Sequence, residues 1–173
     1  IDNLVYAVMN AFYIACSSFV GQNYGAGRAD RVRKSYLLTL AYSALVAGFF
    51  GMLFLLFGRE FLSLFTSESA VIDAGLERIR IMCFVFPLSA LMDDTTAAAR
   101  GIGKGLVPML FVLFGSCVFR VIWIYTVFAY FHTIASLYLL YPFSWIITGA
   151  AEVVYFLYCY KKIIVPLGAS RKA

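Results

Sequence analysis

The chain has 173 residues, of which 63% are hydrophobic and 13% are charged. An ordinary soluble domain carries roughly 25% charged residues, and a chain this poor in polar side chains cannot cover itself in water. A mean hydropathy of +0.88 excludes a disordered chain as well, which leaves an integral membrane protein.

The charges are missing in long blocks. Asn3 to Gly27 carries none across 25 residues, and Ser35 to Gly58 none across 24. Gly105 to Ala151 is broken only by Arg120. A helix needs about 20 apolar residues to cross a bilayer core about 30 Å thick. The sequence therefore predicts an all-α membrane protein with five transmembrane helices, over about 2–21, 36–57, 76–99, 108–131 and 137–160. The runs do not alternate, which excludes a β-barrel. The start lacks the basic, short-core pattern of a signal peptide. The third span is the least apolar, with Glu77, Arg78 and Arg80 at its start and Asp93 and Asp94 near its end. Pro87 is expected to kink it, and Pro142 to sit in the opening turn of the fifth. The connections are short, no repeat is visible, and residues 1–173 read as one domain. Because the first residue is Ile1, the chain is expected to be part of something longer.

Lys and Arg in loops set orientation. The first connection holds Arg28, Arg31, Arg33 and Lys34, the third Arg100 and Lys104, and the tail Lys161, Lys162, Arg171 and Lys172. In the second, Arg59, Arg78 and Arg80 are diluted by Glu60, Glu68, Asp73 and Glu77. The pattern places the N-terminus outside and the C-terminus in the cytoplasm of a multi-pass cell-membrane protein. The net charge of +5 is this topological signal together with attraction to lipid headgroups. No basic face with interleaved aromatics marks a nucleic-acid partner.

Cys16, Cys83, Cys117 and Cys159 are 67, 34 and 42 residues apart, without a metal-ligand spacing. His132 is the only histidine. No catalytic or cofactor motif accompanies it, so neither an enzyme nor a cofactor is expected. Gly101 to Gly105 imitates a phosphate loop but reads as a turn at a helix end.

Charges inside the membrane are the informative residues, because an ionisable group there faces protein or water. Arg120 and Glu152 lie at depths that antiparallel neighbours would bring within reach. They read as a gate or proton-linked pair, or as an ion pair that fixes packing. Asp93 shares a face with Arg100 seven residues later. It reads as that residue's partner or as a cation-coupling carboxylate, and only one of Asp93 and Asp94 is expected to face the interior. Tyr6, Tyr13, Tyr42, Trp123, Tyr125, Trp145 and Tyr155 could line an organic-cation cavity, or could form interface belts and packing.

The segment from Ser17 to Ser35, "SSFVGQNYGAGRADRVRKS", resembles the multidrug and toxic compound extrusion (MATE) transporters. In them a helix ends in Val-Gly-Gln-x-x-Gly-Ala-Gly before a basic stretch. Here the matching residues include Gly21, Gln22, Gly25 and Gly27. "AAARGIGKGLVPML", with Arg100, Gly101 and Gly103, is similar to the family segment between helices ten and eleven. "FRVIWIYTVF" and "SLYLLYPFSWIITG" resemble stretches of the last two helices.

The resemblance implies helices eight to twelve of a twelve-helix antiporter, a partial C-terminal six-helix bundle whose partner is the absent N-terminal bundle. It implies export of organic cations or amphiphilic drugs in exchange for protons or sodium by alternating access. A flippase for lipid-linked sugars of the same superfamily is the alternative, and a non-transporting membrane protein the third reading. Intramembrane acids outnumber bases, which favours cationic cargo.

Overall fold

The computed structural model describes residues 2–166. Among them the secondary structure is helical throughout, without strands. Six helices follow in order. They are α1 (Asp2–Gly25), α2 (Ala29–Ser63), α3 (Ser69–Met82), α4 (Phe86–Gly101), α5 (Leu106–Phe131) and α6 (Ile134–Cys159). A wider π-helical turn, Tyr160–Ile164, continues α6. Helices are what an apolar chain must form in lipid, since each backbone polar group then finds its partner within the segment. α1, α2, α5 and α6 are each long and apolar enough to span a membrane.

The third span departs from the expectation. It is two helices, α3 and α4, broken at residues 83–85. With 14 and 16 residues each falls short of the about 17–25 needed to cross alone, so four helices rather than five are long and apolar enough to span. Pro87 does not kink a continuous helix. It lies in the first turn of α4, where its missing N–H has no helical partner to lose. Pro142 is displaced the other way. α6 starts at Ile134, so this proline stands inside the helix.

Two segments expected to be loops are largely helical. α2 takes in the basic stretch from Ala29 and runs for 35 residues, about 52 Å at 1.5 Å per residue. It therefore projects beyond the hydrocarbon, where Arg and Lys are good helix formers. A non-helical Phe57, with φ −117° and ψ 18°, bends it near its end.

The sharp turns lie at the motif glycines. Gly27 and Gly103 adopt φ of +67° and +74°, a conformation that side chains disfavour. Around Gly27, its own N–H donates to Tyr24 O (2.9 Å) and Arg28 N–H to Asn23 O (2.9 Å). Around Gly103, its N–H donates to Arg100 O (2.9 Å) and Lys104 N–H to Ala99 O (2.9 Å). Both are Schellman closures, which satisfy the last carbonyls of a helix. The expected turn at Gly101–Gly105 is therefore observed. His132 makes the third sharp turn, at φ +50°, between α5 and α6.

α4 is the centre of the bundle, packed against α1, α2 and α6. Its approach to α1 depends on two glycines. A Cβ on Gly101 would stand 2.6 Å from Ser17 O, and one on Gly21 3.1 Å from Gly101 O. The two motifs thus meet each other across one interface, as small residues allow helices to do in membranes. Two apolar clusters fill the interior. One gathers Val5, Met9, Ala47, Phe54, Met82, Phe86 and Trp145. The other gathers Cys16, Val20, Val32, Tyr36, Ala97, Ala98 and Phe156. Between these clusters the buried side chains are polar: Ser43 on α2, Asp94 and Thr95 on α4, and Thr148 and Glu152 on α6.

Candidate functional site

That polar layer contains Ser43, Asp94, Thr95, Thr148 and Glu152, all buried, with Asp93 and Thr96 half-buried beside them. One turn of α4 supplies four of these side chains. Successive residues point about 100° apart on a helix of 3.6 residues per turn, so each addresses a different neighbour. Asp93 lines a cleft of about 370 Å³ with Tyr6, Met9, Asn10 and Tyr13 of α1. Asp94 accepts a hydrogen bond from Ser43 Oγ of α2. Thr95 Oγ1 lies 2.8 Å from Tyr36 Oη of α2. Thr96 Oγ1 donates to Glu152 Oε1 of α6 at 2.7 Å. Asp94 is sealed between helices, whereas Asp93 stands half-buried at an open cleft.

Arg120 and Glu152 do not pair. The Arg120 guanidinium lies over the Tyr141 ring, 4.6 Å from its centroid, and its Nε is 3.4 Å from Ser144 Oγ. Ser144 is two turns before Glu152, about 12 Å along the helix. Span lengths gave each residue's depth only coarsely. Arg100 and Asp93 do not pair either. Arg100 is exposed, and its guanidinium lies 5.7 Å from the Tyr13 ring centroid. Tyr13 stands at the cleft that Asp93 also lines, so an aromatic ring takes the place expected for the ion pair.

Of the seven aromatics considered, Tyr6 and Tyr13 line the cleft. Trp145 is buried against Tyr141, and Trp123 stacks on Phe143 while donating to Ser136 O at 3.0 Å. Tyr155 meets Phe111 edge-on, and Tyr42 and Tyr125 are exposed. Gln22 stays on its own helix, donating to Ser18 Oγ at 3.1 Å. A Cβ on Gly25 would meet nothing within 4 Å. The tail charges Arg171 and Lys172 lie outside the described residues.

Sequence reasoning passed over Ser43, Thr96, Ser144 and Thr148. A signal for the last two exists. Ser144, Thr148 and Glu152 recur every fourth residue in an otherwise apolar segment, which puts them on one face of α6.

Comparison with known families turns this geometry into a relationship. The profile of the MatE family matches residues 1–126. The chain belongs to the MatE family. Two solved structures share the fold. One is the outward-facing conformation of a multidrug resistance MATE family transporter of the MOP superfamily, with a TM-score of 0.70 and 24% identity over 88% of this chain. The other is the inward-facing conformation of such a transporter, with a TM-score of 0.70 and 20% identity over 94% of this chain. This MatE chain spans 34% of the length of the first and 39% of the second. No curated protein matches it. It is a multi-pass membrane protein whose bundle has the MATE fold.

Proposed function

We propose that the chain forms helices eight to twelve of a MATE antiporter, which exports organic cations or amphiphiles in exchange for protons or sodium by alternating access. The small share of each related transporter that it covers supports reading it as part of a longer transporter, and the order of its motifs supports the C-terminal bundle. The N-terminal bundle is then its partner, and the isolated 173-residue chain does not transport. The loop charges support an external N-terminus and a cytoplasmic C-terminus.

The observation that carries the cation reading is Asp93 at a cleft with Tyr6 and Tyr13. A carboxylate beside aromatic rings attracts an organic cation both by charge and by cation–π contact. The same carboxylate can instead take a proton or sodium, and that competition is what exchange requires. Asp94 and Glu152 are further candidates in the layer, and Arg120 is one outside it, at Ser144 and Tyr141. Only differential affinity between two conformations can drive a rocking motion. Asp93, open to the cleft, is the residue we propose supplies it.

Flipping of lipid-linked sugars is the second reading, and a different observation favours it. Arg78 and Arg120 both approach Tyr141, at 5.7 and 4.6 Å from its centroid, and two guanidiniums suit a phosphate. Full-length protein in proteoliposomes separates the readings. Efflux of a fluorescent organic cation under an imposed proton or sodium gradient is expected. Phospholipid-linked sugar translocation without such efflux overturns the antiporter reading.

A further inference from the structure

A second cavity, of about 350 Å³, shares no lining residue with the Asp93 cleft. It lies at the break between α3 and α4. Ile79 and Met82 line it from one side of the break and Phe86 from the other, with Phe54 of α2. These four apolar side chains are buried. The polar lining is Arg78 of α3 and the exposed Asn3 of α1. Ligand pockets have about 300–1,000 Å³ and combine an apolar wall with a few placed polar groups, and this cavity has that form.

The charge beside it is positive. The Arg78 guanidinium lies 5.8 Å from the Tyr138 ring centroid and 5.7 Å from that of Tyr141. The Arg120 guanidinium reaches the same Tyr141 ring from α5, at 4.6 Å. Both arginines are half-buried. Among the described residues Arg120 has no acidic partner, and its contacts are the Tyr141 ring and Ser144 Oγ. It stands in Phe119–Trp123, a short α-helical stretch between π-helical segments at Leu113–Val118 and Ile124–Phe128. Such wide turns recur at functional sites. Two guanidiniums at one ring repel each other, the more strongly as water is excluded. Cation–π contact with the ring offsets part of that repulsion, and an anion held by both would offset more through charge-assisted hydrogen bonds.

We infer that this cavity binds a single-chain amphiphilic anion, of which a fatty-acid carboxylate is the simplest, with its alkyl chain among α2, α3 and α4 and its head at Arg78 and Arg120. The volume is at the small end of ligand pockets, which suits one alkyl chain rather than two. A free anion would leave the apolar wall unused, and a cationic amphiphile would meet two like charges. The site does not depend on the antiport reading. It shares its guanidiniums with the flippase reading but requires no translocation.

Binding of cis-parinarate, a fluorescent fatty acid, to the full-length protein in maltoside micelles tests it, read as energy transfer from tryptophan. Trp145, whose ring centroid is 5.9 Å from that of Tyr141, is a donor beside the proposed head site. Saturable transfer is expected, displaced by laurate and by dodecyl phosphate but not by dodecanol, dodecyltrimethylammonium or inorganic phosphate. Arg120→Gln should weaken laurate roughly 10–100-fold, the loss of a hydrogen bond to a charged group, and Arg120→Lys should weaken it less. Arg78→Gln keeps the test open if Arg120→Gln does not fold. Asn3→Phe, which fills the cavity from its exposed edge, should abolish the transfer. Transfer that does not saturate, equal displacement by dodecanol or by the cation, or laurate affinity unchanged in both arginine variants overturns the inference. Inorganic phosphate displacing as well as dodecyl phosphate also overturns it, because the site then takes a free anion. Dodecyl phosphate binding without laurate binding overturns the fatty-acid class and supports phosphate cargo. Laurate binding in a protein that moves no organic cation under any gradient keeps the site and overturns the antiport reading. Gradient-driven efflux without laurate binding does the reverse.

Discussion

Asp93 and Glu152 lie in the same polar layer and face opposite conditions. Asp93 opens on a cleft with two tyrosines. Glu152 is sealed between α4, α5 and α6 with a single hydroxyl donor on one oxygen. A carboxylate at a cleft can exchange its partner, whether cation, proton or cargo. A sealed carboxylate must be neutralised on the spot, since burying an unpaired charge is expensive. The two acids thus differ in access, the first open to exchange at its cleft and the second closed to it. Asp94 is the third case, buried but bonded to Ser43, and it suits holding α2 on α4.

The comparison depends on α4 staying in place, so the largest effect is expected where α1 meets it. Gly101→Leu would drive a side chain into Ser17 O and Val20. It should destabilise the protein by about 3 kcal/mol, at the upper end of overpacking effects, read as a lower melting temperature in detergent. Asp93→Asn comes next. It should leave that melting temperature nearly unchanged and weaken the link between ion and cargo. Coupling free energies are about 1–3 kcal/mol, so gradient-dependent efflux should fall roughly 5–150-fold.

Ser43→Ala removes a hydroxyl from a buried carboxylate. Hydrogen bonds to charged groups contribute about 1.5–3 kcal/mol, and a loss within that range in thermal or denaturant unfolding is expected, with efflux retained. Gly25→Ala should change least, because nothing stands where its Cβ would go. Stability should stay the same or rise by under about 1 kcal/mol, the helix preference of Ala over Gly. A large loss in Gly25→Ala beside a small one in Gly101→Leu would break the account of the α1–α4 interface.

Much of this bundle was legible in the sequence, for physical reasons. Long charge-free runs must be helices in lipid, and Gly27 and Gly103 marked the turns because few other residues take a positive φ. The break at residues 83–85 was not legible. Pro87 announces a discontinuity but does not say whether it kinks a helix or opens one. The π-helical turns of α5, Leu113–Val118 and Ile124–Phe128, left no mark either. The layer's acids were visible as charges in apolar runs. Their partners were not, because depth and rotation across two helices must both be known. Arg120 shows this. Its depth suggested Glu152, yet its register delivered it to Tyr141 and Ser144. Thr148 was hidden for another reason: a threonine is unremarkable in a membrane helix until its hydroxyl is found without a partner.

The most direct measurement of the central claim, that the open acid of this layer couples ion to cargo, is efflux of an organic cation from proteoliposomes containing the full-length protein. A proton or sodium gradient would be imposed, and Asp93→Asn compared with the unaltered protein at equal incorporation. The account predicts gradient-driven efflux in the unaltered protein and its loss in Asp93→Asn. Equal gradient-driven efflux in the two would contradict it and make Asp93 a structural residue.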